Sequence, residues 1–165
     1  MAHHNKKLTF AIIVICQFAC SVCYAEQRGN DQRSYGIYKN SKYEYSICYP
    51  KDIFVPQGES DAGDGQVFLS KDGSELRVYA SYNVLDETIS EDFQRTTSED
   101  KDNITYKLIK HDWYVVSGND HDKVFYQKTL LNGDEFISFR ITYASLLANI
   151  YGDIINHLNK CVRHF

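Results

Sequence analysis

At 165 residues, with 43% hydrophobic and 24% charged side chains, the chain has room for one domain with an enclosed core and not for several. Its formal net charge of −4, from 18 basic and 22 acidic side chains with no Lys/Arg cluster, argues against nucleic acid and anionic membrane as partners, since both demand basic patches.

Lys6 and Lys7 precede an apolar run from Leu8 to Cys20, and Cys23-Tyr24-Ala25 ends on a small residue. That order predicts a secretory signal peptide over residues 1–25, cut after Ala25. The run is short for a bilayer span, so the expected product is a periplasmic or secreted monomer with no transmembrane segment. A retained N-terminal anchor is the alternative. The cut removes two lysines and no acid, which takes the net charge from −4 to −6. It also removes Cys16, Cys20 and Cys23, leaving Cys48 and Cys161. A single pair in an oxidising compartment suggests a disulfide.

Residues 26–40 are polar, with Gly29, Asn30 and Gly36 and no sustained period, and read as a flexible leader. Residues 41–165 read as a single domain. Tyr43 to Tyr49 alternates as a strand stopped by Pro50. In that strand Cys48 shares a face with Glu44 and Ser46 rather than with Tyr45 and Ile47, which counts against the bridge. Lys51 to Gly65, with Pro56, Gly58 and Gly63, reads as loop. Next comes the clearest signal in the chain: a short apolar run, Lys71-Asp72-Gly73, and a run in which Leu76, Val78, Ala80 and Tyr82 alternate with Glu75, Arg77, Tyr79 and Ser81. Alternation on both sides of an Asp-Gly turn predicts a β-hairpin.

Thr88-Ile89-Ser90-Glu91 fits a capping box and opens a short helix to about Glu99, with a thin stripe of Ile89 and Phe93. Ile104, Tyr106 and Leu108 alternate in a strand, and Trp113 to Ser117 makes another. Val124 to Leu131 and Glu135 to Tyr143 are joined through Asn132-Gly133, which suits a type I′ turn. In the second of these strands Ile137, Phe139, Ile141 and Tyr143 share one face, and Ser138, Arg140 and Thr142 the other. Leu147, Ile150, Ile154, Leu158, Cys161, Val162 and Phe165 recur at helical spacing and predict a closing helix whose stripe needs the sheet to cover it. The expected fold class is α+β: an antiparallel sheet of about six or seven strands with a short middle helix and a long C-terminal helix packed on it.

Candidate chemistry is sparse. His157, Cys161 and His164 fall at i, i+4 and i+7 and offer soft metal ligands, but Cys161 lies in the apolar stripe and the same sulfur is wanted for the bridge. His111-Asp112 and His121-Asp122 bracket one hairpin and would make a metal-binding or hydrolase-like group if they met at one sheet edge, although turns favour such residues for backbone reasons alone. Asp61, Asp64 and Asp72 near glycines lack the ligand series of an EF-hand. No serine has a nucleophile-elbow context and no glycine-rich stretch opens a helix. The sequence therefore assigns no catalytic residue, no metal and no cofactor. Tyr79, Tyr114, His111 and His121 are the candidate binding surface, because exposed tyrosine favours recognition; the plainer alternative is a second packing layer.

Tyr49-Pro50, Asp64-Gly65, Phe68, Ser70, Asp72-Gly73 and the Trp113 to Gly118 strand together resemble a family of small exported bacterial proteins of uncharacterised function with a Mog1/PsbP-like fold. The resemblance implies an antiparallel sheet sandwiched between helices, and binding or assembly roles rather than catalysis. The expected function is a non-catalytic binding or assembly module with a protein partner in the cell envelope. An inhibitor or immunity protein against a secreted or envelope-acting enzyme is the alternative, and a hydrolase the third reading.

Overall fold

The computed structural model describes residues 33–165; the signal peptide expected over residues 1–25 and the first part of the expected leader lie outside the described residues. In chain order the elements are β1 (Tyr35–Asn40), β2 (Tyr45–Pro50), β3 (Phe54–Glu59), β4 (Gly65–Ser70), β5 (Glu75–Tyr82), α1 (Ile89–Glu99), β6 (Ile104–Ile109), β7 (Trp113–Asp120), β8 (Lys123–Asn132), β9 (Glu135–Ala144), a 3-10 turn (Ser145–Leu147), α2 (Ala148–Cys161) and β10 (Arg163–His164). They form a seven-stranded sheet in the order β3-β4-β5-β9-β8-β7-β6 and a three-stranded sheet in the order β1-β2-β10. Every pairing is antiparallel. The fold is the expected α+β class.

Strand alternation puts two different surfaces on the large sheet. Leu76, Val78 and Ala80 of β5 and Ile137, Phe139, Ile141 and Tyr143 of β9 point to one side. There they meet Tyr151, Ile154, Ile155 and Leu158 of α2 together with Tyr38, Tyr45 and Ile47 of the small sheet. On the other side Tyr114, Val116, Phe125 and Phe136 pack under α1 through Ile89 and Phe93. Helix α1 begins as expected, with the capping box of Thr88 and Glu91 complete.

Five local expectations need correction. The leader assigned to residues 26–40 is ordered from Tyr35, where β1 pairs with β2; its inward residues include Tyr38 and Asn40, so no apolar period announces it. The loop assigned to Lys51 to Gly65 holds β3, an edge strand that tolerates Pro56 and carries a register shift between Pro56 and Glu59. The β8–β9 turn is Gly133-Asp134, because Asn132 still pairs with Glu135 in the ladder. Gly133 alone takes positive φ there, at 60°, as a type II′ turn requires. The closing helix stops at Cys161 and not at Phe165: Val162 is extended, and β10 then adds to β2 with Arg163 opposite Ser46.

The fifth correction concerns Cys48. Strand β2 starts at Tyr45, after Glu44 at a φ of 45°, and both of its faces are covered, since Ser46 and Cys48 are buried as well as Tyr45 and Ile47. The face that Cys48 shares with Ser46 is met by Cys161 at the end of α2 and by Arg163 and Phe165 beyond it. Cys48 and Cys161 form a disulfide there, with their Cα atoms 5.9 Å apart across a sequence separation of 113.

Candidate functional site

Helix α1 is shorter than the sheet is wide, and it lies over β6 and β7. Over β4, β5 and β9 the same sheet face is left open; the side chains that alternation places there are polar on β5 and on β9 from Ser138 to Thr142, while β4 contributes Val67 and Leu69. Three rows of register partners cross it. The middle row runs Val67, Arg77, Arg140, Gln127. Beside it on one flank run Gly65, Tyr79, Ser138, Thr129 and Tyr114, and on the other Leu69, Glu75, Thr142 and Phe125. A Cβ at Gly65 would collide with the Val78 carbonyl, so only glycine lets β4 close on β5 at that point.

Two adjoining hollows share this floor. The larger, ≈ 810 Å³, lies between Arg140 and the Gln57 to Ser60 end of β3. The smaller, ≈ 400 Å³, runs under the edge of α1 beside Asp92 and Thr96. Tyr79, Gln127 and Arg140 line both. The larger volume is that of a small-molecule site.

A hydrogen-bonded frame fixes the inner wall. The Tyr114 hydroxyl donates to Asp92 Oδ2 at 2.7 Å and lies 2.9 Å from Thr96 Oγ1. Asp92 is buried, and Arg95 pairs with it and with Glu87 Oε2 at 3.1 Å, which gives the carboxylate the partners that burial demands. Thr129 Oγ1 and Ser138 Oγ lie 2.9 Å apart. Arg140 lies 4.0 Å from the Phe125 ring centroid and reaches Gln127 Oε1 at 3.4 Å and Asp100 Oδ2 at 3.5 Å. Burial pushes the Tyr114 phenol well above its usual range, with the Asp92 carboxylate acting in the same direction. Burial also raises Tyr79, against the opposing pull of Ser138 and Arg140. Both phenols therefore stay protonated as donors near neutral pH. No histidine or cysteine lines either hollow. The arrangement can hold a polar ligand by directed hydrogen bonds and charge.

The residues singled out from sequence divide. Tyr79 stands at the junction of the hollows. Tyr114 is not a surface residue; it is 1% exposed under α1, and only the wall of the smaller hollow sees it. Tyr45 and Tyr143, which alternation places with Ile47 and with Ile137, Phe139 and Ile141, are core, as is Tyr151 of α2. His111 and His121 are exposed beyond opposite ends of β7, a strand about 23 Å long at the usual rise per residue, so the hydrolase-like group does not assemble. His121 instead sits in a tight turn at a φ of 58°, its Nδ1 2.6 Å from Asp120 Oδ1. His157 stacks on Tyr35 with ring centroids 3.7 Å apart, Cys161 is in the disulfide, and His164 lies beyond the end of α2, 4.0 Å from Glu135. Among the described residues no group of three or more His, Cys, Asp or Glu is placed to hold a metal. Asp64 and Asp72 serve their own turns, bonded to Ser60 and Ser70.

Arg77, Gln127 and Arg140 are the residues that sequence reading passed over. A signal was present, because Arg77 and Arg140 are the cations at the polar alternate positions of two strongly alternating strands. What it lacked was the strand order that sets them side by side.

No family model and no curated protein matches the chain. Among solved structures it is similar to the solution structure of cyanobacterial PsbP (CyanoP) from Synechocystis sp. PCC 6803, with a TM-score of 0.59 and 14% identity over 83% of this chain and 96% of that one. It also matches a crystal structure from Bacteroides thetaiotaomicron VPI-5482, with a TM-score of 0.48 and 12% identity over 81% of this chain and 49% of that one. The CyanoP likeness shows that the fold is PsbP-like.

Proposed function

We propose that the protein is a non-catalytic binding module of the bacterial cell envelope, exported after cleavage at Ala25 and working as a monomer, with the open polar half of the sheet as its recognition face. The observation that carries this reading is the cleft itself: a rigid floor of Arg, Gln, Tyr, Ser and Thr side chains, on strands rather than loops, left uncovered where α1 ends. The PsbP-like fold, whose resemblance implies binding and assembly roles, supports it. The Cys48–Cys161 disulfide supports an oxidising compartment.

The test is affinity capture from periplasmic extract with the wild type and with Thr142→Trp, which fills the larger hollow. Envelope components should be recovered with the wild type and lost with the variant. Recovery that is indifferent to Thr142→Trp would move recognition off the cleft. Recovery of a single basic enzyme in equal amount would make the protein an inhibitor, and turnover of any substrate by the pure protein would overturn the non-catalytic reading.

A further inference from the structure

The middle row of the open face contains an arrangement that folding alone disfavours. Arg77 and Arg140 are register partners on neighbouring strands and line the same hollow, and like charges directly opposite one another on a sheet repel. Each guanidinium is drawn aside by a carboxylate: Arg77 to Glu75 of its own strand at 2.9 Å, Arg140 towards Asp100 at 3.5 Å. The bonds of Arg140 are long. Its contacts with Gln127 and Asp100, at 3.4 and 3.5 Å, exceed ordinary hydrogen-bond lengths, so most of its five donors are poorly used. Its guanidinium nonetheless lies over the Phe125 ring, its central carbon 4.0 Å from the centroid, and a guanidinium placed in this way is prepared for bidentate recognition. Gln127 is in the same position: it is 7% exposed, and its amide nitrogen reaches only Thr129 Oγ1 at 3.4 Å. The acids at the far rim are engaged elsewhere, since Glu59 accepts from the Tyr38 hydroxyl at 2.7 Å and Asp64 is bonded to Ser60.

We propose that Arg77, Arg140 and Gln127, with the Tyr79 hydroxyl at the junction of the hollows, form an oxyanion site that takes the carboxylate or phosphate group of a small ligand. This rests on the cleft being the recognition face. An oxyanion between the two guanidiniums turns their repulsion into paired attraction, and charge-assisted bonds replace the long ones. Tyr79, kept protonated by burial, adds a neutral donor.

Amide chemical shifts of the 15N-labelled protein, titrated with sodium phosphate and separately with sodium succinate, test the site, with sodium chloride at matched ionic strength as reference. Saturable shifts at Val67, Arg77, Gln127 and Arg140 are expected with at least one oxyanion and not with chloride. Phosphate alone would mark a phosphoryl ligand, succinate alone a carboxylate. Arg140→Gln and Arg77→Gln should each weaken the midpoint at least tenfold. Arg140→Lys, which keeps the charge but loses the fork, should weaken it by a smaller factor, and Arg163→Gln on the small sheet should leave it unchanged. The wild-type titration stands alone if a variant's spectrum shows that it has not folded. No saturable shift with either anion, or midpoints unmoved by both glutamine variants, overturns the proposal. If Thr142→Trp still abolishes capture in that case, the cleft remains the recognition face and only the oxyanion assignment falls.

Discussion

The two faces of the seven-stranded sheet are built from the same strands, yet they do different work. On the face under α2, Leu76, Val78, Phe139, Ile141, Ile154 and Leu158 are all fully buried, and a second sheet and a disulfide close what the helix does not cover. On the face under α1 the apolar cluster is small, and buried Gln127, Thr129 and Ser138 stand where more apolar side chains would fit. Apolar burial is the main stabilising term in folding, so the α2 face should carry most of the stability. The α1 face, relieved of that task, can keep polar groups that a ligand could use. Four measurements break or sharpen this contrast.

The largest effect is expected from the link between α2 and β2. Replacing Cys48 and Cys161 together by alanine should destabilise the protein by about 4 to 5 kcal/mol in the chain-entropy account of a loop this long, read as a lower urea midpoint. A midpoint within experimental error of the wild type would show that packing alone docks α2. Next is Leu158→Ala in the centre of that face, which should cost about 2 to 5 kcal/mol as transfer and cavity effects combine. Thermal unfolding reports it, and an unmoved melting temperature would mean that the helix does not seal the sheet.

On the α1 face the expected loss is smaller. Tyr114→Phe removes one donor from buried Asp92 while Arg95 remains, which should cost about 1 to 2 kcal/mol. A loss as large as that of Leu158→Ala would erase the contrast between the faces. The smallest effect is one of pH. Burial raises the Asp72 pKa, but hydrogen bonds from Ser70, Ser74 and the Tyr151 hydroxyl outweigh it and lower the carboxyl from 3.8 to about 2. The unfolded chain therefore takes up the proton first, so the contribution of Asp72 is whole above about pH 4 and fades as pH falls towards 2. Asp72→Asn should flatten the stability curve in that interval. Tyr151→Phe, which deletes the 2.8 Å bond from α2, should narrow the interval from below. Curves for Asp72→Asn and wild type that run parallel from pH 4 to 2 would show that the carboxylate plays no such part.

Much of the fold is legible in sequence because its signals are local. The β4–β5 hairpin shows in alternation around Asp72-Gly73, the start of α1 in the Thr88 and Glu91 capping box, and the docking stripe of α2 in Ile154 and Leu158. Each is set by neighbours two to four positions apart. The edges are less legible. Strand β3 carries Pro56, and β1 turns Tyr38 and Asn40 inward, so both lack the apolar period that marks a half-buried strand.

What only the tertiary structure decided is which of these elements touch. The helix stripe drawn through Phe165 ends at Cys161 because the disulfide anchors that residue to β2 and the chain beyond it finds a strand to join. Tyr114 looks like a surface residue until α1 folds over it. His111 and His121 look like neighbours until the length of β7 separates them. Above all, the middle row of the cleft exists because β9 inserts between β5 and β8, which brings Arg77, Arg140 and Gln127 together from distant parts of the chain. Strand pairing runs through backbone N–H and C=O groups that nearly every residue carries alike. A sequence can therefore state that a segment is a strand and which of its side chains share a face, while its partner is chosen only when the whole sheet closes.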